Sequence, residues 1–427
     1  MSTNLQAVRG MNDIVPPISA AWREFEDTVA ALLTSYGYGE IRLPLVEQAA
    51  VFKRSIGAAT DIVQKEMYTF DDRNGDSLTL RPEGTAGCVR AVLQNGLLQH
   101  TPLRLWYAGP MFRHERPQRG RHRQFHQIGV EAFGAAGPDI DAEIILMTAR
   151  LWRALGIDHL RLELNSLGSS AARTHYREIL SAYFRAHGEQ LDEDSRDRLE
   201  RNPLRILDSK NPAMRELIAA APALTDSLDE ESHEHFERLC AMLSSNGVEV
   251  HRNPRLVRGL DYYSKTVFEW TTTELGAQGT VCAGGRYDGL VELMGGKPTP
   301  AIGFAMGIER LLELRAAQIG EVATPAVYVS ATADDFDAQA LVLVEQLRSR
   351  LHGWPILLHV GGGSLKSRMK KADRSGAMVA LLLGEDECAQ GTVAVKPLRG
   401  ALPQTVHSQD TVAAVLEQLC RPVATDG

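Results

Sequence analysis

The densest run of chemically capable side chains is Met111-Phe-Arg-His-Glu-Arg-Pro-Gln-Arg-Gly-Arg-His-Arg-Gln-Phe-His-Gln-Ile-Gly-Val-Glu131. Five arginines and one glutamate lie between Arg113 and Arg123, with strand-like residues on either side. A planar guanidinium fork matches polyphosphate and stacks on flat rings, so such a loop is able to hold a nucleotide or touch nucleic acid. Phe125 offers a ring for a base to stack on. Gln127 and Glu131 follow it at even spacings and so share its strand face. A ring, an amide and a carboxylate on one face make a floor for a small polar molecule. The plain alternative is a solvated basic hairpin. His114, His122 and His126 raise zinc, but zinc needs three or four converging ligands and no cysteine is close, so no metal site is expected.

Four shorter segments add to this set. In Leu80-Arg-Pro-Glu-Gly-Thr85, proline and glycine fix a turn, which leaves Glu83 and Thr85 to face a cleft and bind an ammonium group. Thr85 as a helix N-cap, with Glu83 solvated, explains the threonine equally well. Val257-Arg-Gly-Leu-Asp-Tyr-Tyr263 brings Arg258 beside the phenols of Tyr262 and Tyr263, and Ala283-Gly-Gly-Arg-Tyr-Asp-Gly289 permits close backbone approach around Tyr287. Neither is a P-loop or a dinucleotide fingerprint. Ala301-Ile-Gly-Phe-Ala-Met-Gly-Ile-Glu-Arg310 runs from an apolar strand into a helix, with Arg310 near the positive end of the dipole. Taken alone, Arg310 also reads as an ordinary surface arginine.

The elements that must position these residues fall into four regions. Up to about residue 168, a helix from Ser19 through Trp22, Phe25, Val29 and Leu33 to Gly37 is followed by strand-like runs at Ile41–Leu45, Ser77–Leu80, Arg104–Tyr107 and Gln124–Glu131. The regular rhythm of a parallel doubly wound sheet is missing, so a mainly antiparallel sheet with helices on one side is expected. About Ser169 to Gly247, the chain is helical and highly charged, which predicts a helical insertion. Strand and glycine-rich loop character returns at Thr266–Thr272, Gly279–Gly289 and Ala301–Gly307. After a hinge near residues 319–325, strands and helices alternate through 325–427 as an independent α/β domain with a mixed sheet.

Composition narrows the class. The chain has 427 residues, 46 Lys plus Arg against 54 Asp plus Glu, and a net charge of −8. At ~150 residues per domain this length implies two to three domains. The charge excludes a uniformly basic nucleic-acid coat but not a local basic face. No apolar run approaches the ~20 residues of a membrane span, and Met1 to Arg9 has no signal-peptide core. Five scattered cysteines form no CxxC pair, so neither a disulfide framework nor a cysteine-rich zinc site is expected, and a reducing cytoplasm is the expected location.

Together these segments resemble the histidyl-tRNA synthetase family of class II aminoacyl-tRNA synthetases, over essentially the whole chain. The opening helix and Leu43-Pro44 resemble the first class II motif, which builds a dimer interface, so a homodimer is implied. Phe112-Arg-His-Glu115 resembles the second motif and Gly307-Ile-Glu-Arg310 the third. Arg258-Gly-Leu-Asp-Tyr-Tyr263 and Gly284-Gly-Arg-Tyr-Asp288 are similar to two signatures of the histidine enzymes. The resemblance implies an α+β catalytic domain over 1–320, carrying the helical insertion at about 169–247, and an anticodon-binding domain over 325–427.

It also implies a reaction and its residues. L-histidine and ATP, with Mg2+ accompanying the nucleotide, would give histidyl-adenylate, and the histidyl group would pass to the 3′ end of tRNA(His). Arg113 would hold the α-phosphate, with Glu115 and Arg121 near the adenosine and pyrophosphate, Phe125 stacked on adenine and Arg310 on the γ-phosphate. Arg258 would stabilise charge on the α-phosphate from the opposite side, making Arg113 and Arg258 the catalytic pair. Histidine would be held by Glu83 and Thr85 at the amino group, Gln127 and Arg258 at the carboxylate, and Glu131 with Tyr263 at the imidazole, with Arg113, Tyr262 and Tyr287 also among its contacts. Gln118, Arg119 and Arg123 would meet the tRNA end. Lys366, Arg368, Lys370 and Lys371, on a basic helix behind a triple-glycine loop, would meet its backbone; a solvated helix face is the alternative there. Two rival readings stand beside this one. A silent histidine-sensing paralogue would be expected to lack the second domain and the phosphate-binding arginines. A nucleic-acid binder without chemistry has no need of Arg113, Arg258 and Arg310 as an ATP clamp.

Overall fold

The computed structural model describes residues 5–57, 60–118, 120–207, 209, 211–260, 262–276, 279–316, 326–400 and 402–420. Two compact units form, Met1–Ile319 and Gly320–Gly427. The hinge expected near 319–325 and Arg119 lie outside the described residues.

The first unit carries strands β1 (Gly39–Glu40), β2 (Val46–Gln48), β3 (Tyr68–Asp71), β4 (Ser77–Leu80), β5 (Leu103–Phe112), β6 (Gln124–Phe133), β7 (Arg161–Ser166), β8 (Val250–Arg252), β9 (Ser264–Thr271), β10 (Thr280–Arg286) and β11 (Ala301–Gly307). Eight of them build one sheet in the order β1-β5-β6-β11-β10-β9-β7-β8, while β2, β4 and β3 form a small second sheet. Only the edge pairs β1–β5 and β7–β8 are parallel; every inner pair is antiparallel. The extended run expected at Ile41–Leu45 pairs at its two ends alone, where the Ile41 N–H reaches the Trp106 carbonyl and the Leu45 carbonyl accepts from the Arg81 N–H. Pro44 has no N–H to continue the ladder, so the run is a connection rather than a strand.

Period-two alternation divides the sheet into two faces. Ile128, Val130 and Ala132 on β6, Ile302, Phe304 and Met306 on β11, and Phe268 and Trp270 on β9 enter one apolar core with the helices Ile18–Ser35, Pro138–Ala154 and Glu230–Ser245. The first of these helices buries Trp22, Phe25, Val29 and Leu33, a stripe at the helical period. Beyond it Gly37, at φ +78°, closes a Schellman turn: Gly37 N–H reaches the Thr34 carbonyl and Tyr38 N–H the Leu33 carbonyl. The alternate residues of the same strands face the other way and form the site.

Within 169–247, Ser170–Ala186, Glu193–Arg201 and Arg215–Ala220 are helices of a satellite lobe around Tyr176, Leu180 and Phe184. Glu230–Ser245 is different, because Phe236, Leu239 and Leu243 belong to the main core. Its apolar stripe ties the end of the charged region to the sheet.

The second unit has β12 (Val327–Ala331), β13 (Ile356–Leu358), β14 (Val379–Leu383), β15 (Thr392–Pro397) and β16 (Thr405–Ser408), in the order β13-β12-β14-β15-β16. The β12 strand is parallel to both neighbours, whereas β14–β15 and β15–β16 are antiparallel, so the sheet is mixed. Helices Asp337–Arg350 and Val412–Leu419 cover one face through Leu343, Val344, Leu347 and Leu416. Helix Leu365–Arg374 lies on the other through Ala372 and Met369.

Candidate active site

The outward face of β6, β11 and β10 floors a cleft of ≈ 370 Å³. Glu83, Thr85, Arg113, Glu115, Arg121, Phe125, Gln127, Arg258, Tyr262, Tyr263, Tyr287 and Arg310 all line it, although they come from five separate segments of the chain. Glu131 is the one predicted histidine contact that does not line the cleft; it lies one layer beneath, fully buried.

That buried carboxylate organises the deep end. Its Oε1 accepts from the hydroxyls of Thr85 at 2.7 Å and Tyr107 at 3.0 Å, and its Oε2 from the Tyr287 hydroxyl at 2.5 Å. Burial pushes the Glu131 carboxyl up to about 8 despite these donors, with the charge of Glu83 adding to the rise. Glycines make the arrangement possible. Gly303 lies opposite Glu131 in the β6–β11 register, and a Cβ there would overlap the carboxylate. A Cβ at Gly84 or Gly129 would likewise strike the Tyr107 ring.

Glu83 and Thr85 divide their work differently from a simple N-cap. The Glu83 carboxylate accepts the N–H groups of Thr85 at 2.7 Å and Ala86 at 2.9 Å, capping the helix Thr85–Gln94 from two residues upstream. Thr85 is thereby released to donate to Glu131. Burial raises the Glu83 carboxyl, opposed by those backbone N–H groups and by Arg113.

The open end is cationic and braced. Arg113 donates to the Pro82 carbonyl at 2.9 Å and stacks over Phe125 at 5.3 Å. Arg121 pairs with Glu115 at 2.7 Å, and Arg123 donates to the Glu115 carbonyl. Arg310 donates to the carbonyls of Gly120 and Thr280, so the helix Ile308–Leu314 is tied to the arginine loop and to β10. Burial, with Arg121 and Arg113 close by, pushes the Arg310 guanidinium down. Like charges confined together in this way are relieved by an anion of high charge. Arg258 pairs with Glu269 on β9 and lies over the Tyr263 ring at 5.9 Å.

A second buried network, not anticipated from the sequence, stands behind Tyr287. Arg286 donates to Asp141 Oδ2 at 3.1 Å, to Asp288 at 3.0 Å and to the carbonyls of Ala135 and Gly137. Asp141 also accepts from Thr266 at 2.6 Å and meets His235 at 2.8 Å. The partners of Asp141 lie 94 to 145 residues along the chain from it, and only the Gly284-Gly-Arg-Tyr-Asp288 signature hinted that Arg286 was more than a surface charge. His126, a candidate metal ligand in the sequence, instead meets Glu309 through its ring and its N–H and packs edge-on against Trp22.

The residues assigned to tRNA divide. Gln118 and Arg121 close a tight turn of the arginine loop, and Arg123 is part of its bracing. In the second unit Lys366, Lys370 and Lys371 are exposed. Arg368 requires correction: it is 0% exposed, with Asp337 at 2.7 Å, Asp334, and the Gly363 carbonyl at 2.8 Å as partners. Its helix turns it inward, so it staples the glycine loop to the Asp334–Asp337 turn and has no surface to offer a phosphate.

The histidyl-tRNA synthetase family model matches residues 10–311, and an anticodon-binding domain model matches 326–418. The chain belongs to the histidyl-tRNA synthetase family. Among solved structures it is similar to apo S. aureus histidyl-tRNA synthetase, with 34% identity over 97% of this chain and 100% of that one and a TM-score of 0.81. Histidyl-tRNA synthetase from Nostoc sp. shares the fold at 19% identity, covering 97% and 99% of the two chains, with a TM-score of 0.70. So does an ATP phosphoribosyltransferase regulatory subunit/histidyl-tRNA synthetase from Bacillus halodurans, at 21% identity, 90% and 99% coverage and a TM-score of 0.65. The family's α+β architecture, a large sheet flanked by helices together with a separate mixed-sheet domain, is the one described above. Among the described residues no helix is long and apolar enough to cross a membrane.

Proposed function

We propose that this chain is a histidine–tRNA ligase: it activates L-histidine with ATP and transfers the histidyl group to the 3′ end of tRNA(His). The observation that carries this reading is the cleft itself, where four arginines converge at one end and a closed set of hydroxyls and carboxyls lies at the other. A silent histidine sensor has no use for the cationic half. The anticodon-binding domain model matched at 326–418 also favours a partner with an anticodon.

In the first step a carboxylate oxygen of histidine attacks the α-phosphorus of ATP, and the bond to the pyrophosphate oxygen breaks. Arg113 and Arg258, the catalytic residues in this reading, hold the α-phosphate from two sides while negative charge builds on it. Preorganised charges of this kind are worth on the order of 10²–10³ in rate each. Phe125 takes the adenine, Glu115 and Arg121 the adenosine and pyrophosphate, and Arg310 the γ-phosphate, with magnesium arriving on the nucleotide as part of the substrate. In the second step a ribose hydroxyl of the tRNA attacks the carbonyl carbon, and AMP leaves with the bonding pair.

Selection of histidine falls to the deep end. Glu83 and Thr85 face the ammonium group, and Gln127 and Arg258 the carboxylate. Tyr262, Tyr263 and Tyr287 enclose the ring above Glu131. A site that pairs with both ring nitrogens rejects isosteres by ~10⁴ or more, because an analogue leaves buried polar groups unpaired. Exposed apolar side chains at Val15, Ile18, Leu45, Val46 and Phe70 fit an interface between two copies of the chain, supporting a homodimer. Five free thiols fit a reducing cytoplasm.

Incubation with labelled histidine, MgATP and tRNA(His) tests the reading. Acid-precipitable histidine formed in step with AMP is expected. Histidine binding without charging would make the chain a sensor.

A further inference from the structure

Two arginines of the cleft lining, Arg258 and Arg310, are joined through Glu269 and Thr280, which lie outside the segments 258–263, 284–288 and 307–310. Arg258 projects from the irregular segment 253–260, which by itself imposes no orientation on a long side chain. Its guanidinium donates to Glu269 Oε1. Thr280 donates its hydroxyl to the other oxygen, Glu269 Oε2, at 2.8 Å. The Thr280 carbonyl in turn accepts from Arg310 Nη1. Glu269 stands on β9, paired in register with Ala283 on one side and Glu163 on the other, so its backbone is fixed from both flanks. Both Glu269 and Thr280 line the cleft.

We propose that Glu269, anchored by Thr280, is the residue that positions Arg258 for the α-phosphate, and that Thr280 carries the same constraint across to Arg310. The inference rests on the ligase reading and names a part of its machinery. Three physical points support it. A guanidinium has five donors, so a carboxylate on one edge is compatible with a phosphate on the other. Charge stabilises a transition state most when its geometry is set beforehand, because no reorganisation is then needed as the reaction proceeds. Finally, Glu269 and Glu115 are carboxylates set among the four arginines of the cleft lining, so Glu269 also lowers the repulsion that Arg258 would otherwise meet.

Glu269 acts through Arg258 and does not touch substrate, and a double-mutant cycle separates that role from a general structural one. The full-length chain is compared as wild type, Glu269→Ala, Glu269→Gln, Arg258→Ala and the Arg258→Ala/Glu269→Ala double variant, by histidine-dependent pyrophosphate–ATP exchange and by thermal midpoint. Glu269→Ala is expected to lower kcat on the order of 10²-fold, the usual effect of a small misplacement at a reacting centre, with KM for ATP little changed. Glu269→Gln, which keeps the hydrogen bond without the charge, recovers part of that loss. In the Arg258→Ala background the Glu269→Ala loss vanishes. If Glu269→Ala does not fold, Glu269→Gln and Thr280→Val take its place in the cycle, with Thr280→Ser restoring what Thr280→Val loses. Additive losses, or a kcat within about threefold of wild type in Glu269→Ala, overturn the proposal while leaving the ligase intact. No exchange by the wild-type chain overturns the ligase reading and this inference with it.

Discussion

Replacing Glu131 by glutamine should change how the stability of the first unit depends on pH. In the folded chain the carboxyl is enclosed by the hydroxyls of Thr85, Tyr107 and Tyr287 and is pushed up to about 8 by burial. In the unfolded chain it titrates near ~4.3 like any glutamate. Between these values the folded state holds a proton that the unfolded state has lost. Its contribution to stability is therefore greatest in acid and declines as pH rises, by up to about 1.4 kcal/mol per pH unit, until the folded carboxyl itself ionises near 8. From pH 5.5 to 8.5 the loss amounts to roughly 3 kcal/mol. Glutamine is neutral throughout and keeps one oxygen for the Thr85 and Tyr107 hydroxyls, so Glu131→Gln should lack this component. Urea unfolding of both proteins across that range, followed by tryptophan fluorescence, measures it: Trp22, Trp106, Trp152 and Trp270 lie in the first unit and Trp354 alone in the second. The variant should gain on wild type steadily with pH. Two parallel curves would refute a neutral Glu131 and the enclosed carboxyl behind it.

Four further outcomes are expected. Arg258→Ala should lower histidine-dependent adenylate formation on the order of 10²–10³-fold while ATP still binds, as read by pyrophosphate exchange beside calorimetric titration. Arg286→Leu leaves the buried Asp141 without its cation and should destabilise the first unit by ~3–5 kcal/mol in urea, with weaker histidine binding because Tyr287 is its chain neighbour. Alanine at Lys366, Lys370 and Lys371 should raise KM for tRNA and reduce the slope of log K against log salt by ~1 for each phosphate no longer neutralised, whereas Arg368→Ala should lower the melting temperature of the second unit instead. A chain ending at Gly320 should activate histidine but charge tRNA poorly; equal charging by the full-length and shortened proteins would take tRNA binding away from the second unit.

Much of this site was legible because strand alternation and local motifs operate at short range. The even spacing of Phe125, Gln127 and Glu131 put them on one face of β6, and the structure keeps them there. The stripe Trp22, Phe25, Val29 and Leu33 and the glycine at residue 37 marked a helix and its end almost to the residue. What escaped was set by distance along the chain or by context. The network of Asp141, Thr266, His235 and Arg286 joins four segments, and none of them signals the others. Arg368 looks like its basic neighbours, yet one turn of helical phase points it at Asp334 and Asp337 rather than solvent. Helix Glu230–Ser245 carries charge on its outer side, which hid the apolar stripe that joins it to the main core. Short edge elements such as β8 and β16 have too few residues for any period to show.

The most direct test of the central claim is histidine-dependent exchange of labelled pyrophosphate into ATP, run on the full-length chain against all twenty amino acids. Exchange with histidine and with no other amino acid is the predicted result, since it requires the cationic and the hydroxyl-lined halves of the cleft to act on one substrate pair. A folded protein that binds histidine yet exchanges with none of the twenty would contradict it.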